Sequence, residues 1–554
     1  MSRRRIVNAL FGSWANGPPL SMRKRLSCKR CVRAIFAVSY HLERRCCMPL
    51  TASDALFRLI HSLSRTEKGY VKKYCSRHVI GDGNDYLRLF DVIEAQQTYS
   101  ESDVKAALHG TAMVRRLPAV KNYLYQQILE AMRAYHAASS SERRIVELLE
   151  DADFLWEKTL YDQAMKRVEK AREIARSHDE FAFWLKTLSW EKNYRHVILE
   201  RPLTDGTEDA LSREQHRVME LLRNTVDYEN LGNTLHDNLI RMSQGNTAAT
   251  AWLKKLPDHP LLQSPDSAVS RPAQLNYHLI LANWWSFVGN DAPKAVEYSR
   301  ALVHIIQADT ELREARPDTY LGILYSHLIN LAQAGNHDEF STTISLLWDE
   351  RSKQPTKNIE VKRFYRAVNA ECTYALECGV TDRLAERMPY IKERYDALAD
   401  YIPPQSRVAM CFMCGRFSYT IGALRDSAWW FRRLAMCDES VRPDMHAAAR
   451  LLQLKKAMDD RDVDYVRTSA RSLQRFLKSR GLHSARTDAV LSFFRRFAES
   501  HGAKRKTLLA ETARRLTSAA VASPFDPVRT SGLDVWIAKA APSMAANLEA
   551  PFNT

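Results

Sequence analysis

Glycine and proline are scarce in this chain, 18 and 20 among 554 residues, and many of the prolines cluster, as at Pro257/Pro260/Pro265 and Pro403/Pro404. Long helices fit between such breaks. There is no Gly-x-Gly-x-x-Gly and no Gly-x-x-x-x-Gly-Lys-Ser/Thr, so the backbone cradles that hold dinucleotides and nucleotide phosphates are missing. The 17 histidines all stand ten or more positions apart, so no single helix offers two of them at i, i+4 to one metal. The longest apolar run near the N-terminus, Ala34–Tyr40, is far shorter than the ~20 residues a bilayer span needs. Strand-like alternation over six or more residues is hard to find, which argues against sheet.

What is present is ordinary for a folded chain. Hydrophobic residues make up 45% and charged residues 26%, too apolar for disorder. The net charge of +16 is unevenly spread. Residues 1–47 hold eleven Lys/Arg against the single acid Glu43, a net of +10, which leaves +6 for the other 507 residues. That remainder is of solubility grade and gives no general reason to expect a polyanion partner. The leading segment has no helical periodicity, and it reads as a disordered leader or a mis-assigned start, with Met48 the expected start. A basic targeting or nucleic-acid arm is the other reading. Four of the ten cysteines (Cys28, Cys31, Cys46, Cys47) lie there and the rest are scattered, unlike a secreted disulfide framework, so a cytoplasmic setting without membrane attachment is expected.

From Ala52 onward apolar residues recur at helical spacing. The expected organisation is an N-terminal helical cap over 52–138, first helix pairs with a long helix (Leu211–Met242) and a Pro-rich linker over 142–271, regular helix pairs over 272–517, and a flexible tail over 518–554 carrying a short closing helix at 532–540. Ser64-x-x-Glu67 has capping-box spacing. In Tyr161-Asp162-Gln163-Ala164-Met165-Lys166-Arg167-Val168-Glu169-Lys170-Ala171 an aromatic, a small residue, a larger apolar residue and another alanine fall where the second helix of a tetratricopeptide repeat places them, the small residue allowing close helix approach. Treated as a template, a turn residue t with packing positions t+2, t+5 and t+9 recurs. Asn290 precedes Ala292, Ala295 and Ser299; Gly335 precedes His337, Phe340 and Ile344; Gly379 precedes Thr381, Leu384 and Met388; Gly422 precedes Leu424, Ser427 and Phe431. Successive turn residues are 45, 44 and 43 apart, a period of about 44 that exceeds the standard 34 and falls among longer helix-pair repeats. Weaker matches follow Arg461 and Gly502. The fold class is therefore all-α, an α-solenoid of antiparallel helix pairs with tetratricopeptide-like character.

Several stretches resemble an uncharacterised family of bacterial tetratricopeptide-like helical repeat proteins. They are Leu59–Lys68 (LIHSLSRTEK), Tyr86–Asp91 (YLRLFD), Lys121–Leu129 (KNYLYQQIL), Leu160–Ala171, Arg471–Leu477 (RSLQRFL) and the Trp536 patch. The resemblance covers about 52–540. It implies the fold and supplies neither an activity nor a functional residue.

Cys28-x-x-Cys31 and Cys411-x-x-Cys414 are roughly 380 residues apart, far from the spacing of a zinc ribbon, and Cys411-Phe412-Met413-Cys414 reads as core. Asp82-x-Asn84 lacks the glycine of a calcium loop, since Leu87 occupies that place. No catalytic, cofactor-binding or metal-ligating residue is assigned and no cofactor is implied. Ser100–His109, a turn and Lys121–Arg133 have the outline of a helix-turn-helix, with Arg115, Arg116 and Lys121 as the possible nucleic-acid contacts. Residues 52–138 carry only +3, thin for DNA. The expected function is a non-enzymatic scaffold whose concave face, lined by the first helix of each pair, holds a protein or peptide. The alternative is a nucleic-acid-binding regulator with the N-terminal helix-turn-helix, and an enzyme comes third.

Overall fold

A computed structural model describes residues 54–77, 85–111, 113–136, 140–197, 207–243, 246–349, 356–498, 500, 503–519 and 526–541. The 1–47 leader, Met48, the Cys28/Cys31 pair, the 81–84 loop and the turn at Gly502 lie outside them. All regular structure among the described residues is helical, with no strand, and no helix there is long and apolar enough to cross a membrane. The chain forms two compact units, up to His136 and from Ala137.

The first unit contains α1 (Asp54–Ser62), α2 (Arg65–Arg77), α3 (Asp85–Glu94), α4 (Glu101–Ala107) and α5 (Leu117–Tyr135). The turn into α2 is a reciprocal capping box. The Ser64 amide donates to Glu67 Oε2 at 2.7 Å and the Glu67 amide donates to Ser64 Oγ at 3.2 Å, which satisfies two amides that a helix start leaves open. Leu56, Ile60, Val71, Leu89, Phe90, Ile93, Leu124 and Ile128 meet in one core.

The second unit begins with α6 (Ser141–Glu157), α7 (Tyr161–Ser177), α8 (Phe181–Val197), α9 (Thr207–Ser243) and α10 (Thr247–Lys255). Next come α11 (Arg271–Trp284), α12 (Ala292–Ala308), α13 (Thr310–Ala315), α14 (Pro317–Ala334), α15 (His337–Trp348), α16 (Lys357–Cys378) and α17 (Asp382–Leu398). It ends with α18 (Pro404–Thr420), α19 (Leu424–Ala435), α20 (Pro443–Asp459), α21 (Val463–Ser479), α22 (Ala485–Ala498), α23 (Ala503–Ser518), α24 (Pro527–Ser531) and α25 (Leu533–Ala540). Side-chain caps at Ser140, Ser270, Asp291, Asn336, Thr356 and Asp462 start helices, each worth about 1 kcal/mol.

Asn290, Gly335, Gly379, Gly422 and Arg461, the five turn residues preceding α12, α15, α17, α19 and α21, all have positive φ, from 52° to 77°. That left-handed step costs glycine nothing and is tolerated by asparagine. Residues t+5 and t+9 of every one of these turns are buried: Ala295 and Ser299, Phe340 and Ile344, Leu384 and Met388, Ser427 and Phe431, Val466 and Ala470. Position t+2 is not a packing position. His337 and Leu424 are exposed there, Leu424 by 42%, and Ala292, Thr381 and Val463 are half-buried. The physical reason is that t+2 opens the second helix or sits just before it, ahead of the turns of helix that carry the buried stripe. Leu424 therefore does not pack as the template expects.

The first helices form an inner layer in which α14 packs on α16, α16 on α18 and α18 on α20, while α15, α17, α19 and α21 each pack on the first helix before them. The small residues sit where helices approach most closely. Ala164, Ala171 and Ala175 of α7 are fully buried against α6 and α8, Val168 lies between them, and the half-buried Tyr161 ring stands edge-on to Trp156 at 4.9 Å. In α18, Gly415 leaves just enough room for Phe431, since a Cβ there would fall 2.5 Å from Phe431 Cε1.

Candidate functional site

Packing takes up most of the surface of the stacked first helices. No residue between 321 and 332 of α14, between 359 and 376 of α16, or between 406 and 419 of α18 is exposed. On each helix half-buried positions recur at helical spacing, Ala409 and Met413 resting at the edge of the core. Such positions include Gly322, Ser326 and Ile329 on α14, Lys362, Arg366 and Thr373 on α16, and Ala409, Met413 and Arg416 on α18. Adjacent members touch: a Cβ on Gly322 would lie 3.8 Å from the Arg366 guanidinium. The strip is narrow, and it mixes small, apolar and cationic groups.

Its cations differ in how they are neutralised. Asp318 serves two, accepting from Lys362 Nζ at 2.6 Å and from Arg366 Nη1 at 3.2 Å. Arg442, in left-handed backbone at φ 52°, forms a two-pronged pair with Asp444 at 2.9 and 2.7 Å. Burial pushes the Tyr325 phenol up, against the opposing pull of the Arg442 and Arg366 charges. Arg416 makes neither an ion pair nor a side-chain hydrogen bond among the described residues. Burial lowers its pKa, and Glu377 and Asp534 only partly offset this. The turn at Gly532, φ 77°, closes on it, a Cβ there falling 3.0 Å from Arg416 Nη2. The arrangement can accept a carboxylate, phosphate or carbonyl oxygen at Arg416.

Other polar groups are structural. His327, only 1% exposed, bridges Ser299 Oγ at 2.9 Å and Glu339 Oε1 at 3.0 Å. Burial lowers its pKa and outweighs the opposing pull of the Glu339 carboxylate, with the Arg300 charge acting in the same direction as burial. The Cys411-x-x-Cys414 pair is fully buried. The Tyr395 hydroxyl lies 3.1 Å from Cys411 Sγ, and Cys372 and Cys414 Sγ are 3.8 Å apart. A hydrogen bond with Cys437 and burial push the Cys411 thiol up, the behaviour of a packed thiol. No group of three His, Cys, Asp or Glu side chains that could hold a metal occurs among the described residues. A cleft of about 330 Å³ lies beside α11, lined in part by Asp266, Gln274, Tyr277 and His278. Burial lowers the His278 pKa and its Nδ1 has no partner, but no acid or nucleophile is paired with it.

The N-terminal contact residues separate. Arg115 and Arg116 are exposed in a short 3₁₀ turn at 114–116. Lys121 is only 6% exposed, its ammonium donating to the Tyr99 hydroxyl at 2.6 Å and to Glu101 at 3.2 Å. It is therefore withdrawn from any phosphate. Helix α5 starts at Leu117, which turns position 121 inward, and α4 is only seven residues long. The packing residues Ala164, Val168, Ala171, Ala295, Phe340, Ile344, Leu384 and Phe431 are buried across several helix pairs and converge on no single site. The reading from residue order did not pick out Tyr325, Arg366, Arg416 or Arg442. No signal in the residue order singles them out, because the half-buried positions carry Gly322, Ile329, Ala409 and Met413 beside the charged Lys362, Arg366 and Arg416. Compared with protein-family models, curated proteins and solved structures, the chain matches none.

Proposed function

We propose that residues 142–517 form an α-solenoid of tetratricopeptide-like helix pairs, repeating about every 44 residues over 272–517, and that the protein is a non-enzymatic scaffold holding a protein or peptide segment. Kinship with bacterial tetratricopeptide-like repeat proteins and a cytoplasmic location belong to the same proposal. The observation that carries it is the inner strip. Stacked first helices leave one narrow line of half-buried positions, Gly322, Ser326 and Ile329 through Ala409, Met413 and Arg416, which suits an extended chain better than a compact substrate. The small and apolar positions receive side chains, and the unpaired Arg416 receives a carbonyl or carboxylate.

The test is affinity purification of the tagged full chain from its native host near 150 mM salt, with mass spectrometry of what is retained. A partner held by the strip is retained by wild type and by the outer-face variant Leu346→Ala, and is lost with Ser326→Arg or Met413→Lys, each checked for unchanged helical signal because Met413 also rests against the core. Equal retention by all four proteins contradicts the reading.

A further inference from the structure

The charge of the folded chain is concentrated at one end. Residues 463–518 carry thirteen Lys/Arg against four Asp/Glu, a net of +9, so the other 451 residues after position 47 sum to −3. The stretch contains α21, α22 and α23, and most of its cations among the described residues are exposed. Arg467, Arg471, Arg475 and Lys478 fall at i, i+4, i+8 and i+11 on α21, one face of one helix about 16 Å long. Arg467 leans toward Asp464 at 3.8 Å. Arg471, Arg475 and Lys478 are exposed and have no carboxylate partner among the described residues. Exposed hydroxyls of Thr468, Ser472 and Ser479 are interleaved with them, and α23 adds exposed Lys504, Lys506, Arg514 and Arg515.

We propose that this face binds the phosphate backbone of a nucleic acid without regard to sequence, a function separate from the inner strip. Cations and hydroxyls in alternation are the side chains that contact phosphates and sugars. Two other polyanions fit less well. A protein interface needs an apolar centre depleted of charge, whereas Tyr465 is the one large apolar side chain exposed on the described part of α21–α23. That composition matches the polar, strongly positive interfaces made with nucleic acids. A lipid surface is held firmly only when several apolar groups insert beside the cations, and on the described part of these helices Tyr465 stands alone. Tyr465, 43% exposed at the start of the cationic line, offers a ring on which an unpaired base can stack.

The test is fluorescence anisotropy of the full chain with a 25-nucleotide single-stranded RNA and a duplex DNA of equal length, from 50 to 200 mM salt. At least one probe is expected to bind at 50 mM, with log affinity falling linearly in log salt. The variant R471A/R475A/K478A, checked for unchanged helical signal, should weaken binding at least tenfold at 100 mM and flatten the salt slope by about two to three. The charge-matched control K166A/K170A/K254A should bind as wild type does. Should the triple variant unfold, the single variant Arg475→Glu supplies the same comparison. Absence of binding to both probes at 50 mM, equal loss in the control, or equally tight binding of poly-glutamate or of phosphatidylserine vesicles overturns the proposal.

Discussion

Gly415 and Phe431 show how little slack individual residues have. Replacing Gly415 by alanine gains roughly 1 kcal/mol of helix propensity but pushes a methyl to 2.5 Å from a ring that is 6% exposed, and overpacking costs about 1–3 kcal/mol. Gly415→Ala is therefore expected to lower the urea midpoint, and the loss should shrink in the Phe431→Leu background. Equal losses in both backgrounds would show that the contact is not the cause. By the same logic Ala164, fully buried between α6 and its neighbours, tolerates serine better than leucine, and denaturation of the two variants measures the difference. Buried histidines set the response to acid. Burial lowers the pKa of His278 and His446, and each has a ring nitrogen without a partner. Glu439 and Asp444 pull His446 toward its charged form and Arg450 opposes them, but burial dominates. The unfolded chain then takes up protons first as pH falls below the ordinary value of 6.5. This contribution to stability is complete above that value and declines below it. The urea midpoint should fall between pH 7.5 and 5.5, and His446→Gln should reduce the fall; an unchanged slope would exclude His446 as a contributor.

Among the helices, the turns were the most legible element. A left-handed residue is needed to reverse the chain tightly, and glycine or asparagine at near-constant intervals announces it. Arg461, Arg442, Thr159 and Asp179 take the same conformation without that signature, which is why the register fades at the ends. The packing positions t+5 and t+9 follow from helix geometry, whereas t+2 does not, because its exposure depends on where the second helix begins. Lys121 was illegible for a related reason. A lysine near a helix start looks solvated in sequence, and only the start at Leu117 and the approach of Tyr99 and Glu101 turn it inward. The closing helices hang on one residue. Arg486, 6% exposed on α22, reaches Asp526 at 2.5 Å, the Leu516 carbonyl at 2.8 Å and Asp534 at 2.8 Å. Removing one partner of a buried ion pair costs about 3–5 kcal/mol. Arg486→Ala should therefore speed amide hydrogen exchange in α24 and α25 while leaving α14 to α16 protected; uniform exchange across the unit would contradict this local role.

At the scale of the second unit, an all-helical fold was readable from periodicity because every element buries a stripe, but the inner strip was not, since it consists of the positions the stripes leave over. Gly322 and Ser326, Arg366, and Met413 and Arg416 come from three helices well separated in sequence, and it is the stacking of α14 on α16 and α16 on α18 that brings those helices side by side. The claim that this line holds the partner is tested most directly by site-specific photo-crosslinking in the native host, with a benzophenone amino acid placed singly at Ser326, Met413, Leu346 or Tyr390. The first two lie on the strip, and the last two are exposed on the second helices. The account predicts a discrete cross-linked protein species at Ser326 and Met413 and none at Leu346 or Tyr390. Cross-links confined to the outer pair, or absent from all four positions, would contradict it.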